Sequence, residues 1–202
     1  VAIPSGNFGN AYSAWFGRSN GLPINQIFCS TNVNDVLRRF IETGELAPEE
    51  TSPSVAPSMD IQIPSSLERL IFDFTDSASD FYTTLSQEQK AKLNKEEVIE
   101  LNHVFSSNTF SDDVIKGEIK SLFEDFDSIF DPHSVTSIRM ALDNQDSIPT
   151  VAVATASPEK FSNVIAPIIE SSTEVKIDDK EEYLILKNDK FSISESIKAY
   201  FS

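Results

Sequence analysis

The stretch Ser5-Gly6-Asn7-Phe8-Gly9-Asn10 decides how the rest of the chain is read. It follows an apolar run, Val1-Ala2-Ile3-Pro4, with the character of a short buried strand, and it precedes Ala11-Tyr12-Ser13-Ala14-Trp15-Phe16, which starts a helix. A strand, a glycine-bearing loop and a helix in succession present several backbone N–H groups to one anion. Gly6 and Gly9 are expected to take positive φ and to let a ligand approach the backbone closely. The loop holds neither Lys nor Arg, so the anion would be held by neutral amides, by the side chains of Asn7 and Asn10 and by the positive end of the helix dipole. No Gly-Lys-Ser/Thr follows, so this is not a P-loop, and the spacing is not the Gly-x-Gly-x-x-Gly of dinucleotide folds. The stretch reads as a phosphate cup for a cofactor. A ligand-free βα turn is the alternative that these residues alone leave open.

Working outward, residues 1–44 read strand, loop, helix twice over. A helix at 11–20 ends before Gly21, a strand at 24–30 shows little polar alternation, and Asn34 looks like the cap of a helix that Gly44 terminates. Repeated βα units are the text of a doubly wound α/β sheet. Four prolines between 48 and 64 forbid a long helix there. Ser65-Ser66-Leu67-Glu68 then has the form of a capping box. Residues 85–128 carry successive helical patterns: caps at Ser86 with Gln89 and Asn94 with Glu97, one stripe of Val98, Leu101 and Phe105, and another of Ile115, Ile119, Leu122 and Phe126. Asp131-Pro132 opens a helix, 149–154 reads as a strand, and Pro158 suits the first position of the next helix. A strand at 183–186 and a helix near 194–201 close the sequence. The expected division is 1–84 as a cofactor-domain segment with the phosphate-binding loop, 85–130 as a small helical insertion, 131–169 as a return to the first domain, and 170–202 as a strand and helix tail.

The 202 residues are 40% hydrophobic, enough for a sizeable core, and carry a net charge of −16. That charge opposes a nucleic-acid partner, which needs a basic face, and an anionic membrane surface. The single cysteine, Cys29, lies in a buried-strand pattern and fits a reducing, cytoplasmic compartment as a core thiol. No signal peptide or transmembrane run is present, and no His/Cys cluster has metal spacing. Because Val1 falls inside a strand pattern, the sequence is expected to be the C-terminal part of a longer protein.

Six stretches in order resemble threonine synthase, a pyridoxal-phosphate (PLP) enzyme of fold type II, the tryptophan-synthase-β type. They are Pro4-Ser5-Gly6-Asn7-Phe8-Gly9-Asn10, Gly21-Leu22-Pro23-Ile24, Ser30-Thr31-Asn32-Val33-Asn34-Asp35-Val36-Leu37-Arg38-Arg39-Phe40, Ser58-Met59-Asp60-Ile61-Gln62-Ile63-Pro64-Ser65-Ser66-Leu67-Glu68-Arg69, Asp131-Pro132-His133 and Thr155-Ala156-Ser157-Pro158-Glu159-Lys160-Phe161. The resemblance implies that the whole protein converts O-phospho-L-homoserine and water to L-threonine and phosphate. It implies cofactor contacts from Gly6, Asn7, Phe8, Gly9 and Asn10 at the phosphate, and from the Thr155 hydroxyl at the pyridine nitrogen. The family's Schiff-base lysine sits in a Phe-Lys-Asp context upstream of the cup. No Lys here has that context, so the missing N-terminal part is the implied partner and this chain alone should be inactive. The family usually has Thr-Ala-His-Pro-Ala-Lys-Phe where this chain has Ser157 and Glu159, which bears on catalytic competence.

Asn32, Asn34 and Asp35 follow the second strand and are candidates for the substrate crevice, with turn and cap chemistry as the rival role. Thr155 likewise has a rival role as a helix cap. Asp131 reads as a cap and His133 as structural, while His103 reads as a surface residue. Arg38, Arg39, Arg69 and Arg139 are the cations to weigh for a phosphorylated substrate. A serine/threonine dehydratase-like PLP lyase and a non-catalytic truncated homologue that binds a phosphorylated ligand are the alternative functions.

Overall fold

The computed structural model describes residues 1–145 and 148–169. The strand and helix expected beyond residue 170 lie outside the described residues. In chain order the elements are β1 (Ala2–Pro4), α1 (Gly9–Ser19), β2 (Ile27–Thr31), α2 (Val36–Thr43), β3 (Glu45–Leu46), a 3-10 turn (Pro57–Met59), α3 (Leu67–Phe74), α4 (Ala78–Glu88) and β4 (Ala91–Lys92). There follow α5 (Lys95–Val104), β5 (Phe105–Thr109), α6 (Asp112–Phe126), α7 (Pro132–Asp143), a second 3-10 turn (Pro158–Phe161) and α8 (Ser162–Ile169).

β1, β2 and β5 pair in parallel in the order β1-β2-β5. On the other side of β1, Ala152 makes a parallel bridge to Ala2: the Ala2 N–H donates to the Val151 carbonyl at 2.8 Å and the Val153 N–H to the Ala2 carbonyl at 2.9 Å. β1 therefore lies inside the sheet, as its unbroken apolar text requires. Successive side chains point to opposite faces. Ile3, Ile27, Cys29 and Phe105 enter a core covered by α1 to α5, whereas Ala2 and Phe28 enter a second core covered by α6, α7 and α8. Helices on both faces of a parallel sheet give the expected α/β class. Cys29 is fully buried, and burial pushes its thiol up to about 12.

Four local expectations give way to tertiary contacts. The segment 85–130 is not wholly helical, because β5 lies within it and pairs with β2 over five residues. Phe105 keeps helical spacing with Leu101, but Ser106, Ser107, Asn108 and Thr109 are weak helix formers, and a place beside β2 satisfies their backbone groups. The capping box at 65–68 does not form; Ser66 is already helical at φ −81°, and the Ser65 and Ser66 N–H groups donate to Asn7 instead. Ser86 lies inside α4. Asp35, not Asn34, occupies the cap position of α2, since the Asn34 side chain is engaged elsewhere. The Asn94–Glu97 box, the Asp131 cap and the Gly44 stop at φ +73° form as expected.

Candidate functional site

The loop after β1 starts at the sheet's carboxyl edge, where the Ser5 N–H donates to the Ser30 carbonyl at 2.8 Å. Positive φ falls on Phe8 (67°) and not on Gly6 or Gly9. A left-handed non-glycine residue is strained, and burial of the ring offsets it. Phe8 is 1% exposed and packs 5.6 Å from the Phe105 ring. Gly6 is needed for close approach, since a Cβ there would lie 2.9 Å from the Met59 Cα and 2.9 Å from the Ser58 carbonyl oxygen. Gly9 is less confined; its Cβ would meet only the Ser66 Oγ, at 3.6 Å.

Among the described residues, the N–H groups of Gly6, Asn7, Phe8, Gly9 and Asn10 make no hydrogen bond. Five donors in a row stand at the N-terminus of α1, with Asn7 and Asn10 exposed, an arrangement that can accept an anion. The Asn7 side chain faces away from that role in part: its Oδ1 accepts from the Ser65 N–H at 2.6 Å and the Ser65 Oγ at 2.9 Å. Asn7 thereby ties the loop to the start of α3.

The strand that the sequence predicts over 149–154 is reduced to the single parallel bridge at Ala152, and Thr155 lies three residues beyond it, so Thr155 and the 5–10 loop follow neighbouring parallel segments at the same edge. Its N–H donates to the Ser134 Oγ at 2.9 Å. Its own hydroxyl has no partner among the described residues, and the following 3-10 turn has Ser157 at its cap without a side-chain bond.

Asp131 is 0% exposed. It accepts from the His133 N–H at 2.9 Å, the His133 Nδ1–H at 2.8 Å and the Ser134 hydroxyl. Burial pushes its carboxyl up, but these hydrogen bonds outweigh burial and hold it below the ordinary carboxylate value. The His133 Nε2 accepts from the Ser58 N–H at 3.1 Å. Ser58 and Ser134 are thus part of the site's frame. Ser134 stands three residues after a capping Asp, a weak sequence signal; Ser58 opens one of the stretches that resemble the family, but nothing in the sequence gives it a role.

Asn32 and Asn34 are buried. The Asn32 Nδ2 donates to the Asp60 Oδ1 at 2.6 Å and the Ser54 Oγ at 2.7 Å, and its Oδ1 accepts from the Asn34 N–H at 3.0 Å. The Asn34 Nδ2 donates to the Ser52 carbonyl at 2.8 Å and the Asp60 Oδ1 at 3.0 Å, while its Oδ1 accepts from the Ser52 N–H. Asp35 pairs with Arg38 and, at 2.9 Å, with Arg39. Burial raises its carboxyl, and those two guanidinium bonds bring it below the ordinary range. Arg139 pairs with Glu118 and Asp143. Of the four cations named from sequence, Arg69 differs: it lies 5.8 Å over the Tyr12 ring, without a carboxylate within 4 Å among the described residues. Tyr12, Ser65 and Arg69 line one open groove. His103 is exposed.

No protein-family model matches the chain. The threonine synthase of Pseudomonas aeruginosa is 29% identical over 170 residues, covering 81% of this chain and 36% of that protein. That of Corynebacterium glutamicum is 30% identical over 182 residues, covering 83% of this chain and 37% of that protein. The crystal structure of PLP-bound threonine synthase from Brucella melitensis superimposes with a TM-score of 0.83 at 27% identity, over 98% of this chain and 45% of that one. The chain is a relative of threonine synthases and matches their C-terminal part. It spans about a third of the length of the curated threonine synthases it matches. Among the described residues no helix is long and apolar enough to cross a membrane.

Proposed function

We propose that the intact protein is a PLP-dependent threonine synthase, converting O-phospho-L-homoserine and water to L-threonine and phosphate, and that this chain supplies the cofactor's phosphate cup. The five unpartnered N–H groups of Gly6 to Asn10 carry this reading. They suit a phosphoryl group: uncharged donors at a helix N-terminus hold a dianion without placing a competing cation beside the reactive ring. When bound, PLP supplies an electron sink for negative charge at carbon atoms of an amino-acid substrate.

The cofactor contacts are the amides of Gly6, Asn7, Phe8, Gly9 and Asn10 at the phosphate and the Thr155 hydroxyl at the ring nitrogen. A neutral hydroxyl there accepts or donates a hydrogen bond without imposing charge, so the ring is a milder sink than one paired with a carboxylate. Asn32 and Asn34 hold the 52–62 loop against the end of β2, and Asp35 orients Arg38 and Arg39. We place these three beside the substrate crevice as its frame. Arg69 is the cation free to meet a phosphorylated substrate. The lysine that carries the cofactor is assigned to the part of the relatives' length that this chain does not span. The free, buried Cys29 thiol fits a reducing compartment, and we place the enzyme in the cytoplasm.

PLP titration of the intact protein, followed by the visible absorbance of the bound cofactor, tests the cup. Gly6→Val should abolish saturable binding, and unchanged affinity in that variant overturns the reading. Phosphate release from O-phospho-L-homoserine, measured against ammonia release from L-threonine, separates a synthase from a dehydratase. Ser157, in place of the family's His, favours a second reading, a PLP-binding homologue without turnover. A stoichiometric cofactor with neither product released would select it.

A further inference from the structure

We propose that Ser134 and Asp131 are positioning residues that fix where Thr155 stands relative to the phosphate cup. This rests on the reading of Thr155 as the ring-nitrogen contact. The phosphate of PLP is tied to its rigid pyridine ring by a single short CH2–O link, so a protein that grips both ends must hold the two grips within a narrow range of distance. The N–H of Thr155 donates to the Ser134 Oγ at 2.9 Å, and the Ser134 hydroxyl in turn donates to Asp131. On its other side Asp131 accepts from the His133 Nδ1–H at 2.8 Å. A backbone N–H can only donate, so the Ser58 bond at 3.1 Å makes His133 Nε2 an acceptor and leaves the ring hydrogen on Nδ1. Ser58 is the residue whose carbonyl stands 2.9 Å from a would-be Cβ on Gly6.

A continuous run of hydrogen bonds therefore joins the backing of the cup to the tether of Thr155. Every donor in it points toward one carboxylate. Asp131, His133 and Ser134 are 0%, 3% and 0% exposed, so water cannot replace a missing partner. Bonds to a buried carboxylate are the stronger kind, and the Asp131 charge stiffens both arms. The Thr155 backbone is held while its hydroxyl stays without a partner among the described residues. The Thr155 side chain is exposed and so open to a ligand.

The test uses the intact protein and PLP itself. Ser134→Ala should weaken PLP about fivefold, the scale of one lost buried hydrogen bond. It should also move the absorbance maximum of the bound cofactor in the same direction as Thr155→Val. The double variant should bind no more weakly than Thr155→Val alone, because the two changes act on one contact. Ser134→Thr keeps the hydroxyl and should restore both readouts. Thr136→Val removes an equally buried hydroxyl of the same helix turn, one that pairs with Ser30 at 2.7 Å. It should lower Tm without moving the spectrum. Wild-type affinity and spectrum in Ser134→Ala, beside a changed Thr155→Val, overturn the proposal and leave the cofactor contact standing. A silent Thr155→Val overturns the contact itself. Should Ser134→Ala not fold, Ser134→Cys, of similar shape and a poor acceptor, is read by the same criteria.

Discussion

Two polar regions sit at the carboxyl edge of the same sheet, one after β1 and one after β2, and they are built on opposite plans. After β1, five consecutive N–H groups have no acceptor among the described residues. After β2, the amides of Asn32 and Asn34 are occupied at both ends, by Asp60, Ser52, Ser54 and each other. Both regions are rich in Asn and Ser, and composition does not separate them. What separates them is whether the donors close on the protein or stay open. A closed network rigidifies a loop; an open one at a helix N-terminus leaves room for an anion.

The largest test of this contrast is Phe8→Ala. The ring holds the open loop in its left-handed turn, and its loss should destabilise the protein by about 3–5 kcal/mol by chemical denaturation, with PLP binding lost in step. A variant that keeps its stability would mean that the loop holds itself. Next comes a pair, Gly6→Ala and Gly9→Ala. The first drives a methyl into backbone at 2.9 Å and the second meets only a hydroxyl at 3.6 Å. The first should lose about 2–3 kcal/mol, the second less than about 1 kcal/mol. Equal losses would deny that the 57–61 turn backs the cup.

In the closed region, Asn32→Ala strands Asp60 and Asn34 and should destabilise by about 2 kcal/mol, with the KM for O-phospho-L-homoserine unchanged. A stable variant with a raised KM would instead make Asn32 a substrate residue and erase the contrast. The smallest effect is in pH dependence. The folded carboxyl of Asp131 lies below its ordinary value of 3.8, which the unfolded chain retains. Its contribution is therefore complete above about pH 4 and disappears as pH falls through the folded value. Denaturant midpoints measured from pH 6 to pH 3 should fall less steeply in Asp131→Asn than in the wild type, and parallel curves would refute the assignment.

Much of this was legible from residues alone. The two βα units, the Gly44 stop, the Asn94–Glu97 box and the Asp131 cap all depend on neighbours within four positions, and local rules suffice there. Of the strand expected at 149–154, only the parallel bridge at Ala152 forms. Phe105 was misread because i, i+4 spacing from Leu101 is blind to β2, 78 residues upstream in the register of Ile27 with Phe105. The glycines misled for a related reason. Gly6 is small because Met59 presses on it, and the unusual φ belongs to Phe8, whose burial no local pattern announces. Ser65 and Ser66 have the letters of a cap, but Asn7 competes for their N–H groups.

The position of β1 has a mechanical consequence. Its three residues alternate between two cores, Ile3 into one and Ala2 into the other. Slipping the strand by a single residue would exchange those occupants, forcing a branched side chain into an alanine-sized space. The anion-gripping loop begins immediately where this strand stops, so it is indexed to the interior like a key cut to its lock's tumblers. Length changes between Val1 and Ser5 would be rejected by the hydrophobic layers long before any chemistry was sampled, whereas the exposed pair Glu50 and Thr51, just outside the closed network, is where an insertion would be tolerated.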